Sequence, residues 1–136
     1  MPAYKVLVVD DEAPIRELFN DLLKKENCIV KSAATGEEAL TKINGEDFDI
    51  VLLDIKLPGI SGLETLKQIR ASKPNLIVIM ITGFGYDDDL IKKSQELGCS
   101  GYIGKNLPIP QMINNFRLFL KFAKEKTEKG KTDKKG

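Results

Sequence analysis

Short apolar runs alternate with amphipathic stretches five times along this chain. Residues 4–9 (YKVLVV) are rich in β-branched side chains and predict a strand, ended at once by Asp10-Asp11-Glu12. From there Ile15, Leu18, Phe19, Leu22 and Leu23 recur at helical spacing, with Pro14 and the preceding acids suited to a helix start. A second strand is expected near 28–33. Thr35-Gly-Glu-Glu38 then reads as a capping box opening a helix that carries Ala39, Leu40 and Ile43. The third strand, 49–53 (DIVLL), is stopped by Asp54, and Pro58-Gly59 makes a turn. Ser61-Gly-Leu-Glu64 offers another capping box, for a helix bearing Leu63, Leu66 and Ile69.

The fourth strand, Leu76 to Ile81 (LIVIMI), ends at Thr82. Asp87, Asp88 and Asp89 favour the next helix start, whose apolar positions are Leu90, Ile91 and Leu97 and whose stop is Gly98. A short fifth strand near 100–103 leads to Lys105, and a last helix is expected from about Pro110 to Lys124. Its Ile109, Met112, Ile113, Phe116, Phe119, Leu120 and Ala123 fit one arc, which leaves Leu118 and Phe122 outside it. Residues 125–136 (EKTEKGKTDKKG) contain no apolar residue and read as a disordered, Lys-rich tail after a single domain of residues 1–124.

Strands separated by helical segments imply parallel pairing through right-handed crossovers, with helices on both faces of one sheet. The near-continuous apolar runs of strands one, three and four agree, because central parallel strands are covered on both sides. The fold class is therefore α/β. Alternation alone leaves the strand order open.

Composition narrows the chemistry. At 136 residues the chain fits one domain, and 42% apolar with 30% charged residues is a globular balance. Its 21 basic and 20 acidic residues give no charge argument for nucleic acid or membrane, and no apolar run approaches a membrane span. The start leaves no room for a signal peptide, so the cytoplasm is the expected location. Histidine is absent, which excludes His-based nucleophile systems, His-containing zinc sites and a phosphohistidine on this chain. Cys28 and Cys99 are too few for a disulfide scaffold and read as small buried hydrophobes at strand starts.

Four of the apolar strands are each followed by a polar group: Asp10-Asp11, Asp54, Thr82 and Lys105. In a parallel sheet these ends share one edge, where ligands bind in open α/β folds. Taken singly, each has a plain structural reading as cap, turn residue or surface charge; the coincidence at four strand ends points to a site. Carboxylates about 4 Å apart repel by about 4 kcal/mol at an effective dielectric of about 20. A cation relieves this, and oxygen-only ligands point to Mg²⁺ over zinc. One carboxylate could then accept a phosphoryl group as an acyl phosphate, with a lysine and a hydroxyl balancing the charge.

At these residues the chain resembles the receiver domains of two-component response regulators. The matching segments are V-V-D-D-E (8–12), L-L-D-I-K-L-P-G-I-S-G (52–62), M-I-T-G (80–83) and Y-I-G-K (102–105), within residues 4 to about 124. The resemblance implies strand order 2-1-3-4-5 and a flavodoxin-like receiver fold. It makes Asp54 the phosphoacceptor, and Asp10 and Asp11, with Asp54 and the Lys56 backbone carbonyl, the Mg²⁺ ligands. Thr82 matches the switch hydroxyl, Lys105 the lysine that pairs with the phosphoryl group, and Tyr102 the aromatic that reports phosphorylation. Lys56 and Phe84 match positions that modulate hydrolysis. With that order, Cys28 and Cys99 lie on opposite edges about 19 Å apart and cannot pair. One departure stands out: Asn106 follows Lys105 where the family usually has proline, so a trans bond or stored strain is expected there.

Two phosphate-loop motifs almost appear and fail on spacing or residue type, Gly83-Phe-Gly85 and Gly98 to Lys105. The expected function is a stand-alone response regulator that catalyses only its own phosphorylation and dephosphorylation. Its donor would be a sensor histidine kinase or histidine phosphotransfer protein, and its output a downstream protein target or onward phosphotransfer, without direct DNA binding. The segment 54–59 resembles sporulation-type phosphorelay members, and chemotaxis-type roles stay open. Tyr102, Leu118 and Phe122 form the expected partner face, for a monomer or a phosphorylation-dependent dimer. A Mg²⁺-dependent phosphatase or hydrolase using the same aspartates, and a flavin-binding module, are the alternatives.

Overall fold

A computed structural model describes residues 3–83 and 88–133 of the chain. The elements are β1 (Tyr4–Val9), α1 (Ala13–Lys24), β2 (Cys28–Ala33), α2 (Gly36–Gly45), β3 (Ile50–Asp54), α3 (Gly62–Ser72), β4 (Ile77–Thr82), α4 (Asp88–Glu96), β5 (Gly101–Gly104) and α5 (Ile109–Asp133). All strands pair in parallel in one sheet ordered β2-β1-β3-β4-β5. This is the flavodoxin-like order that the resemblance implies.

Strand periodicity divides the core in two. Val6, Val8, Leu52 and Ile79 face Phe19 and Leu23 of α1 and Met112 and Phe116 of α5. Their neighbours Leu7, Val9, Leu53 and Met80 face Ala39 and Ile43 of α2 and Leu66 and Ile69 of α3. Helices thus cover both faces, which is why the three central strands carry hardly a polar residue before their last position.

Local signals set the helix ends. Thr35 Oγ1 accepts from the Glu38 N–H (3.1 Å), and the Glu38 carboxylate returns to the Ala34 N–H (3.1 Å), one residue earlier than in a standard capping box. Ser61 Oγ accepts from the Glu64 N–H at 3.1 Å. Gly98, at φ +90°, ends α4 in a Schellman turn: its N–H reaches the Gln95 carbonyl, and the Cys99 N–H reaches that of Ser94.

Several expectations need correction. Asp54 and Thr82 are the last residues of β3 and β4 rather than the first beyond them, while Leu76 precedes its strand. Ile109, placed in the buried arc of the last helix, is exposed, as the first helical residue beside the β5–α5 loop. The last helix also continues to Asp133, through most of the segment read as a disordered tail. Lysine and glutamate are good helix formers, and Lys121 and Glu125 stand four residues apart, so lack of apolar residues did not end the helix. The Lys105–Asn106 bond is trans. Cys28 opens β2 and is buried, whereas Cys99 lies half-buried two residues before β5; both are free thiols.

Candidate functional site

The register of β1, β3, β4 and β5 puts their C-terminal ends side by side. Val9 pairs with Leu53, Asp54 with Ile81, and Thr82 with Gly104. Asp10, Asp54, Thr82 and Lys105 therefore come together from four adjacent strands. A backbone hydrogen bond from the Lys105 N–H to the Thr82 carbonyl (2.7 Å) extends the β4–β5 pairing by one residue. That bond fixes the start of the lysine side chain before Asn106 is reached.

Asp10 is fully buried, and its N–H donates to the Ala33 carbonyl (3.1 Å). Its Oδ1 accepts from the Glu12 N–H at 2.9 Å. Asp54 is 5% exposed; Oδ1 accepts from the Lys56 N–H (3.3 Å) and Oδ2 from Lys105 Nζ (2.9 Å). Lys105 Nζ also lies 2.7 Å from Asp10 Oδ2 and 3.5 Å from Glu12 Oε2. The contact with Asp10 Oδ2 is an ion pair without the alignment of a hydrogen bond, so that buried oxygen keeps unused acceptor capacity. Thr82 Oγ1 is buried with no hydrogen-bond partner among the described residues. Asp11, Glu12, Asp54, Thr82 and Lys105 border a cavity of about 210 Å³ that Leu90 and Ile91 of α4 also line.

The Lys105 ammonium lies within ion-pair distance of three carboxylates, those of Asp10, Glu12 and Asp54. Asp10, Asp11 and Asp54 each offer an oxygen within 4.8 Å of the others, a group that can hold a metal ion. The donor set fits a hard cation: all oxygen, with one buried carboxylate oxygen incompletely satisfied. Burial pushes the Asp54 carboxyl above the usual carboxylate range and the Asp10 charge adds to this, against the opposing hydrogen bond and charge of Lys105. Burial pulls the Lys105 ammonium down, but its pairing with the Asp10 and Asp54 carboxylates outweighs this and holds it above its ordinary value.

Of the remaining expected residues, Lys56 is exposed and joins the site through its backbone N–H. Phe84 lies outside the described residues, as does Asp87. Tyr102, Leu118 and Phe122 are 41%, 67% and 54% exposed and line one groove with Ser100, Asn115 and Phe119. Two further residues escaped the sequence reading. Glu12 is a partner of Lys105, and Arg16 Nη1 donates to the Asp10 carbonyl at 2.6 Å from the first turns of α1. Glu12 was within reach, directly after the acidic pair; nothing in the sequence distinguishes Arg16 from a surface arginine.

The sequence matches the response regulator receiver domain family over residues 6–117. The chain belongs to this family. Among relatives of this receiver domain, Sporulation initiation phosphotransferase F of Bacillus subtilis (strain 168) is 37% identical over 116 residues, which cover 85% of this chain and 93% of that protein. Transcriptional regulatory protein ResD of the same organism is 36% identical over 121 residues, 89% of this chain but 50% of its own length. A receiver domain protein (CheY-like) from Methanospirillum hungatei JF-1, solved by crystallography, superposes with a TM-score of 0.84 at 30% identity, covering 92% of this chain and 99% of that one. The receiver fold and the place of such domains in two-component and phosphorelay systems follow. Among the described residues, no helix is long and apolar enough to cross a membrane.

Proposed function

We propose that this receiver domain is a phosphorylatable switch in which Asp54 accepts a phosphoryl group from a phosphohistidine on a sensor kinase or phosphotransfer protein. The observation that carries this reading is Lys105 Nζ standing 2.9 Å from Asp54 Oδ2 and 2.7 Å from Asp10 Oδ2, beside an unpartnered Thr82 hydroxyl. A buried carboxylate pair with one ammonium between them, and a spare donor next to it, suits a site that gains further negative charge.

In the transfer, an Asp54 oxygen attacks phosphorus, a P–O bond forms and the donor's P–N bond breaks. The bonding pair stays on the ring nitrogen, and a proton already on the other nitrogen makes the departing imidazole neutral. Lys105 exchanges its bond to the Asp54 oxygen for one to a phosphoryl oxygen, and Thr82 Oγ1 donates to another. Asp10, Asp11, Asp54 and the Lys56 carbonyl would hold Mg²⁺, which supplies neutralisation of the charge on the transferring group. Leu90 and Ile91 give the cavity an apolar lining, and Lys56 and Phe84 would tune the rate at which water removes the group. Tyr102, Leu118 and Phe122 are the proposed partner face, through which the switch passes its state to a protein target or a second copy, and the expected setting is the cytoplasm.

Incubation with Mg²⁺ and a small phosphoryl donor, followed by intact mass measurement, tests the reading. The native chain should gain one phosphoryl group only with Mg²⁺ present, and Asp54→Asn should gain none. An unchanged native mass, or equal labelling of the variant, contradicts it.

A further inference from the structure

The loop from Ile55 to Ser61 follows Asp54 and carries Lys56, yet little of it is packed into the core. Its base is closed by a hydrogen bond from the Gly62 N–H to the Ile55 carbonyl (2.9 Å), and a Cβ on Gly62 would run into the Asp54 carbonyl oxygen. Its far end is held from another element altogether. Glu37, in the first turn of α2, accepts the Ile60 N–H through Oε1 at 2.9 Å, across 23 residues of sequence.

Glycines on both sides make this approach possible. Gly59 adopts φ +74°, and a Cβ there would lie 2.7 Å from Glu37 Oε1. A Cβ on Gly36 would meet the Thr65 hydroxyl and stand 2.7 Å from Ile60 Cγ1. The Ile60 N–H is also the leading reason that the Glu37 carboxyl is held below its usual range, so the carboxylate is the form that grips the loop.

We propose that Glu37 is a positioning residue: its hydrogen bond to Ile60 clamps the loop after Asp54 and so holds the Lys56 backbone in place for cation binding beside Asp54. The inference rests on the reading of Asp54 as the centre of a Mg²⁺ site, because Lys56 matters to function only there. A bond to a charged acceptor, exposed to solvent as this one is, shifts an equilibrium by about three- to tenfold when lost.

The test compares the native chain with Glu37→Ala and Glu37→Gln by nuclear magnetic resonance. The metal-free proteins are followed by amide hydrogen exchange, then titrated with Mg²⁺. In Glu37→Ala, exchange at Ile60 and at Lys56 should quicken and half-saturation by Mg²⁺ should move to about three- to tenfold higher concentration. The thermal unfolding midpoint should barely move, and Glu37→Gln, which keeps an acceptor oxygen but not the charge, should fall between the native chain and Glu37→Ala. Unchanged Lys56 exchange and Mg²⁺ affinity in Glu37→Ala overturn the clamp. Equal impairment in Glu37→Gln also overturns it, since charge at the helix start would then be the cause. A native chain that ignores Mg²⁺ overturns the metal reading of the proposed function instead, and Lys56 exchange still decides the clamp.

Discussion

Asp54 is almost buried and has its ammonium partner already in place, so its chemistry depends on what else enters the cavity rather than on rearrangement of its own strand. Its position at a strand end was legible in the sequence, as were those of Asp10, Thr82 and Lys105, because an apolar run stopped by a polar residue is a local signal. Glu12 stands directly after the acidic pair and could have been read from it, but Arg16 and Glu37 were not legible as site residues. Each of these two acts through a contact that depends on a helix start being laid against a loop, and spacing along the chain carries no trace of that. Cys28 gives a residue-scale prediction of another kind. Burial, then the charges of Glu26 and Asp49, push its thiol from 9.0 up to about 11. Between those values the folded chain keeps a proton that the unfolded chain has lost, so the thiol's contribution to stability is complete below pH 9 and disappears as pH rises toward 11. The unfolding free energy of the native chain relative to Cys28→Ala should therefore fall by about 1–3 kcal/mol over that interval. Chemical denaturation at stepped pH measures it, and a constant difference would refute the account.

The last helix, α5, carries large apolar side chains on both its buried and its exposed face. Phe116 is 1% exposed in the core against the sheet, while Phe122, six residues on, is 54% exposed in the groove beside Tyr102. Phe116→Ala should cost about 3–5 kcal/mol, and Phe122→Ala less than about 0.5 kcal/mol. Equilibrium unfolding of both variants separates a packed face from one free to meet a partner; a large loss from Phe122→Ala would put that side chain in the core. Element order and helix caps could be read from periodicity, Thr35, Ser61 and Gly98. The end of α5 could not, since the Lys- and Glu-rich segment after Lys124 suits a solvated coil and a solvated helix equally well, and the structure takes the helix to Asp133.

For the whole molecule, the parallel order β2-β1-β3-β4-β5 turns scattered sequence positions into one rim, since residues from 10 to 105 meet only because four strand ends are in register. The same order required knowledge of a resembling family, because alternation of strands and helices fits several sheet orders. Membership of the receiver family brings the rim its expected chemistry, and the geometry supplies particulars: a lysine shared by two aspartates, a waiting hydroxyl and a loop gripped from α2. The central claim is that Asp54 itself becomes an acyl phosphate. After phosphorylation with a small donor and Mg²⁺, borohydride reduction converts an aspartyl phosphate to homoserine, which peptide mass mapping can locate. Homoserine at position 54 is the result expected; its absence there, or its appearance at Asp10 or Asp11 instead, would contradict the account.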